Sequence, residues 1–381
     1  MRAFLEKILL VAVAIFVKLL FMIYKVLAWP LALLALFVVA WLAFLAFNHF
    51  LGAALLLAGL VLASAWALYH YADRTLPANV GAGGWASRIS DRFIAWLGSI
   101  KYFSSPLCLV EDPGSYRIKG ADLRLLTDGD SPLLQPGDIL LRGYDGYLDG
   151  ELIRRTGGAA GPAQFLSHAA LYVGPIDGEE DKRLAARRLK MRDANGTWRQ
   201  ATEAEKDKVR NDPAYFQSGR QMVIHSMAKG VHVEDILTFL RCDYLVVLRL
   251  PGKVGLHDPA ASKAPLVALS DGAASVDARL RQGYAVPREE IWALARASAL
   301  GRIGTGYDFL FDSCETFHKF SCSEFVYYCY KSAHRYIGLE PREHGFAGLF
   351  KRVTVSPGDV YAAFEPGRKL EFGWSNVPAR P

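Results

Sequence analysis

Residues 26–72 form a run of 47 positions without one Asp, Glu, Lys or Arg. Such a run cannot cover a water-facing surface, and this limits what the N-terminal region can fold into. A bilayer's hydrocarbon core takes about 20 apolar residues per helix, so the run is long enough for two spans. The expected placement is Ala28–Phe47 and Leu51–Tyr71, a transmembrane helical hairpin over residues 28–72. Pro30 falls at the first helix start, where its missing N–H is tolerated, and Asn48, His49 and Gly52 fall at the turn. No cleavage pattern follows, and the run is too long for a signal peptide.

The flanks suggest an orientation. Lys7, Lys18 and Lys25 are 11 and 7 residues apart, so they project near one line of a helix over residues 1–27. An interfacial helix with snorkelling lysines is expected there, with a third span as the alternative. Lys18 and Lys25 precede the hairpin, Arg74, Arg88 and Arg92 follow it, and none lies in its loop. The positive-inside rule then keeps both termini cytoplasmic, in a multi-pass protein of a bacterial-type inner membrane. Residues 73–131 read as a linker. In it Leu76–Gly84 is rich in Pro and Gly, and Trp85–Phe103 carries Ile89, Phe93, Trp96, Leu97 and Ile100 at helical spacing. That helix either packs on the following domain or lies on a membrane surface.

The net charge is +6, of which residues 1–72 carry +3, so the remainder is close to neutral and has no nucleic-acid footprint. Five cysteines at irregular spacings imply no disulfide framework and fit reduced thiols. From residue 132 the pattern changes to short apolar runs bounded by Gly, Pro or charge. These are Gly137–Leu141, His168–Val173, Met222–Ser226 and Tyr244–Leu250. Gly178–Gln221 is a charged insertion in which Glu179–Met191 reads as a helix and Thr202 with Glu205 has capping-box spacing. It is expected to be a solvated flap or a basic arm resting on anionic lipid. Pro287–Leu300 and Cys322–Arg335 read as helices separated by a loop, Gly301–Ser321. Strands first and helices later give an α+β domain over residues 132–365, with 366–381 as a C-terminal tail.

Three residues carry the expected chemistry. Cys322 opens a helix in KFSCSEFVYYCY, where a helix N-terminus favours the thiolate and the cysteine N–H can serve as half of an oxyanion hole. His168 starts a strand in SHAALYVG and is the candidate general base, with His225 in VIHSMAKGV orienting it. Both histidines share a sheet face if their strands start in register. Taken singly, each residue also has an ordinary structural explanation. Tyr307, Asp308 and Ser167 are candidates for shaping a substrate pocket, Glu324 is expected to face away from the thiol, and Asp138 reads as a turn or strand-end cap. A zinc cluster of Cys314, His318, Cys322 and Cys329 lacks the paired spacing of structural zinc, and Cys314 as nucleophile falls in a loop. No metal or other cofactor is expected.

The ordered segments GDILL, SHAALYVG, VIHSMAKGV, YDFLFD and CSEFVYYCY resemble the circularly permuted NlpC-type cysteine hydrolases. The YiiX-like branch is nearest and lecithin:retinol acyltransferase more distant. The resemblance covers about residues 132–335 with a gap at the insertion. It implies a permuted papain-like fold with an antiparallel sheet, nucleophile Cys322, base His168 and third polar group His225. His225 stands where YiiX-like sequences often carry Glu. The implied function is cleavage of an amide or ester through an acyl-enzyme, with water or an amine resolving it. Attachment to a membrane hairpin makes membrane lipids the expected partners and a lipid acyl group the expected substrate. A cell-wall peptide amidase or peptidase, or a non-catalytic membrane scaffold with a hydrolase-like fold, are the alternatives.

Overall fold

The computed structural model describes Val38 and residues 116–378, apart from 129–130, 146–149, 151–152, 155–160, 194–197, 213–214, 217–218, 256–270, 309–310, 312–313, 315–316, 347–349 and 365–368. The chain divides into two units, Met1–Pro77 with Phe346–Phe350, and Ala78–Gly345 with Lys351–Pro381. The sheet and helices described below belong to the second.

Six strands form one antiparallel sheet: β1 (Ile139–Gly143), β2 (His168–Gly174), β3 (Met222–Met227), β4 (Gly230–Asp235), β5 (Tyr244–Arg249) and β6 (Glu371–Ser375), in the order β6-β5-β1-β2-β3-β4. The central strands are apolar at nearly every position because both of their faces are covered. Around them lie α1 (Gly120–Thr127), α2 (Glu179–Ala186), α3 (Glu203–Arg210), α4 (Ile236–Phe239), α5 (Asp271–Arg281), α6 (Arg288–Leu300), α7 (Cys322–Cys329) and α8 (Pro357–Ala362). Alternation sends Leu141, Ala169, Leu171, Ile224 and Val246 into a core shared with Ile291 and Ala295 of α6 and Phe325 and Val326 of α7. Leu140, Ala170, Tyr172, Val223 and Leu245 face the other way, onto Leu126 of α1 and Ile236 and Phe239 of α4.

The expected fold class is corrected in one part. The α+β domain with an antiparallel sheet stands, but no helix among the described residues is long and apolar enough to cross a membrane, so the attached transmembrane hairpin does not. The longest described helix, α6, has 13 residues, about 20 Å at 1.5 Å per residue, short of a hydrocarbon core of about 30 Å. It also carries Arg288, Glu289, Glu290 and Arg296. The expected hairpin over residues 28–72, of which Val38 alone is described, lies outside the described residues, as do the expected helices at 1–27 and Trp85–Phe103. The expected multi-pass inner-membrane location drew on that hairpin and its flanking charges, and no described helix supports it. A charge-free run measures how the sequence partitions between solvents; it does not establish a continuous helix.

Elsewhere the boundaries shift. The helix expected over Glu179–Met191 stops at Ala186, and Lys190–Arg192 instead pairs with Trp198–Gln200. The insertion is packed as well as charged: Ala185 and Ala186 are buried, and Asp181 accepts from Arg296 Nη2 of α6 at 2.8 Å. Residues 371–375, read as tail, form the edge strand β6.

Candidate active site

The position of Cys322 is set by the cap of its own helix. Ser321 accepts the Glu324 N–H on Oγ at 3.4 Å, while Glu324 Oε2 accepts the Ser321 N–H at 2.9 Å. This reciprocal box ends the extended pair Lys319–Phe320 and starts α7 at the cysteine. Ser226 Oγ of β3 and the Asp308 N–H both donate to the Phe320 carbonyl, at 2.7 and 3.1 Å, anchoring the approach to the helix. Thr354 Oγ1 donates to Glu324 Oε1 at 2.8 Å. Burial, and then the charge of Asp308, push the Glu324 carboxyl up to about 7.

Cys322 is only 2% exposed. The backbone N–H groups of Ala169 and Ser323 are directed at its sulfur, and Ser323 Oγ lies 3.8 Å away. These contacts favour the thiolate, yet burial outweighs them and pushes the thiol up. The expectation that the helix start would favour the thiolate is therefore overturned. A helix-end interaction is worth about 0.3–1 kcal/mol, and burying a charge costs more than that. Burial also pushes up Cys242, to about 12, and Cys329, and no hydrogen bond opposes it at either sulfur.

The two histidines meet. Ala170 pairs with His225 across β2 and β3, which puts both imidazoles on one face, His168 Nε2 to His225 Nδ1 at 2.8 Å. Their rings lie 6.1 and 5.4 Å from that of Phe239. Arg142 caps the same ring at 3.9 Å and donates to the Phe239 carbonyl at 2.8 Å. Burial, then the charges of Arg142 and His232, hold His168 well below the usual imidazole range; burial, then His232 and His168, do the same to His225.

The thiol and the imidazole pair meet the start of β2 at neighbouring residues, Ala169 and His168. Ala169 shares a core with α7, whereas His168 and His225 lie against Phe239 on the α4 side. Among the described residues no hydrogen bond joins Cys322 Sγ to either imidazole; the sulfur meets the strand at the N–H of Ala169, one residue beyond His168. Of the expected pocket residues, Ser167 is buried and its N–H donates to the Arg142 carbonyl at 3.0 Å. Tyr307 is half-buried in a short parallel pairing with Phe320, and Asp308 is buried beside Glu324. Glu324 turns back onto Ser321, and its charge helps to raise the thiol. Asp138 accepts the Gln135 N–H at 2.8 Å and pairs with Arg249 Nε and Nη2 at 2.7 and 2.8 Å, so it closes a turn and holds an ion pair.

Sequence reasoning missed three neighbours of the pair. His232 lies directly opposite His225 on β4, with ring centroids 4.2 Å apart; Glu234 Oε2 is 3.4 Å from His225 Nε2; and Arg142 Nη1 is 3.5 Å from the same carboxylate oxygen. The signal was available. A two-residue turn at Ala228–Lys229 sets His232 across from His225, and the period of two puts Glu234 on the same face. The expected Cys314–His318–Cys322–Cys329 alternative does not gather: Cys314 is buried and His318 exposed, while donor atoms converge at His225, His232 and Glu234. The chain matches no family profile, no curated protein and no solved structure.

Proposed function

We propose that the protein is a cysteine hydrolase or acyltransferase of the circularly permuted NlpC type, acting on an amide or ester carbonyl. The observation that carries this reading is the meeting at one point of β2: a cysteine at a helix start, receiving the Ala169 N–H, next in sequence to an imidazole paired with a second imidazole at 2.8 Å. Cys322 Sγ bonds to the carbonyl carbon and its proton passes to His168 Nδ1. His168 then returns that proton to the departing amine or alcohol, leaving a thioester. Water or an amine attacks the thioester and regenerates the thiol. His225 accepts the His168 Nε2–H and so leaves Nδ1 with the lone pair that a base needs.

A raised thiol and lowered imidazoles oppose a resting thiolate–imidazolium pair. Proton transfer therefore accompanies attack on the bound carbonyl, and the resting enzyme alkylates slowly. The lipid preference was drawn from the hairpin and the amphipathic helices beside it, so the substrate is stated by its carbonyl; lipid esters and peptide amides are arms of the assay. Cys322→Ser should lower turnover of the accepted substrate roughly a thousandfold or more while leaving the fold intact. Full activity in that variant would sink the assignment. The missing hydrogen bond between Cys322 and His168 favours a second reading, a non-catalytic domain of the same build, which a wild-type chain inert towards both substrate classes would support.

A further inference from the structure

Two buried imidazole nitrogens on the β3–β4 hairpin have no partner. His225 Nε2 and His232 Nε2 make no hydrogen bond, although each ring is anchored through its other nitrogen. His232 Nδ1 lies 2.8 Å from the Gly230 carbonyl and can only donate to it, which leaves Nε2 as a lone pair. His225 Nδ1 lies 2.8 Å from His168 Nε2, so with its proton there His225 Nε2 is a lone pair too. Glu234 Oε2 stands 3.4 Å from His225 Nε2 without forming a hydrogen bond.

We propose that His225 Nε2, His232 Nε2 and a Glu234 carboxylate oxygen form a binding site for a divalent first-row transition ion, zinc above all. One donor atom from each of the three residues lies within 4.8 Å of the other two. Ligands about 2.0 Å from a tetrahedral ion sit about 3.3 Å apart, close to the 3.4 Å between His225 Nε2 and Glu234 Oε2, so a small closure completes the set. Two imidazoles and one carboxylate suit zinc and its neighbours rather than calcium or magnesium. The Gly230 carbonyl on His232 and His168 on His225 are the outer partners that fix ligating imidazoles. Arg142 competes: its Nη1 is 3.5 Å from the same carboxylate, and binding draws Glu234 away from it.

The site stands on its own geometry and not on the chemistry of Cys322. The full chain, stripped with chelator, is titrated with Co2+ and followed by visible absorption, and zinc stoichiometry is measured by equilibrium dialysis. One equivalent with tetrahedral d–d bands and no thiolate charge-transfer band is expected, and it should persist in Cys322→Ser. His232→Gln and Glu234→Gln, each checked for native circular dichroism, should each weaken binding at least about tenfold. No binding to the wild type, a thiolate band, or unchanged affinity in both folded variants would overturn the site. Cys322→Ser separates the two readings: turnover retained in that variant sinks the hydrolase reading and leaves the metal site, whereas a wild type that turns over substrate without binding Co2+ sinks the metal site alone.

Discussion

Replacing Glu324 by Gln tests whether the carboxyl beside the candidate nucleophile is held largely neutral. Its carboxyl is pushed from 4.5 up to about 7, by burial first and the Asp308 charge second. A folded-state value above the unfolded one means the native protein holds its proton longer than the unfolded chain does. The group's favourable contribution is then fully present below about 4.5 and is lost as pH rises through about 7. At about 1.36 kcal/mol per unit, the whole effect is about 3 kcal/mol, most of which falls between about pH 5 and about pH 8. Glutamine keeps an acceptor for the Ser321 N–H and a polar partner for Thr354 but does not titrate. Urea unfolding followed by tryptophan fluorescence, run on both proteins across that range, gives the difference directly. Wild type should lose roughly 2–3 kcal/mol more than Glu324→Gln on going from acid to alkaline pH. Parallel pH curves would show that Glu324 is ionised throughout in the folded state, and the account of a low-dielectric pocket at the start of α7 would fail with it.

Two other substitutions test the frame that holds the site. Asp138 is buried and paired twice with Arg249, so Asp138→Ala strands a guanidinium against the sheet and should cost about 3 kcal/mol in urea unfolding; a loss below about 1 kcal/mol would mean the pair is solvated. Gly230 has φ +87°, and a Cβ there would lie 2.2 Å from the Thr305 carbonyl oxygen. Gly230→Ala should therefore force β4 away from residues 304–306, seen as lost amide protection at Val231 and Gly304, whose N–H groups bond across that contact. Unchanged protection at both amides would refute the close approach.

Much of the sheet was readable because its signals are local. GDILL, HAALYV, MVIHS and YLVVLRL are apolar runs bounded by breakers, and each overlaps a strand of the sheet, the first beginning two residues before the strand Ile139–Gly143. The Thr202–Glu205 box could be read from spacing alone, and it forms with the Thr202 N–H to Glu205 Oε2 at 2.8 Å. The strand β6 was hard to read, since EFGWS has only two alternating apolar residues around a glycine and owes its place to pairing with β5, far away in the chain. The state of Cys322 was misjudged for a related reason. The helix start is a local feature, whereas the burial that raises the thiol comes with the packing of α7 on β2, which no short window contains. His232 and Glu234 come beside His225 only through the pairing of β3 with β4, which the hairpin pattern encodes but no short motif marks.

The metal site and the base role make opposite demands on one proton. For His168 to take a proton at Nδ1, its Nε2 must carry the hydrogen and donate it to His225 Nδ1, which leaves the His225 proton on Nε2. That nitrogen is 3.4 Å from Glu234, at an angle that makes no hydrogen bond, so this tautomer leaves a buried N–H unsatisfied. An ion on His225 Nε2 requires the reverse: the proton moves to Nδ1, is donated to His168 Nε2, and leaves neutral His168 with its own hydrogen on Nδ1, where it cannot accept one from a thiol. A protein with both properties would therefore be switched off by the ion through a proton relocated two rings away, without the metal approaching the sulfur. The unsatisfied nitrogen is what favours the off state, and only a group that reorients Glu234 or replaces it as acceptor would favour the other.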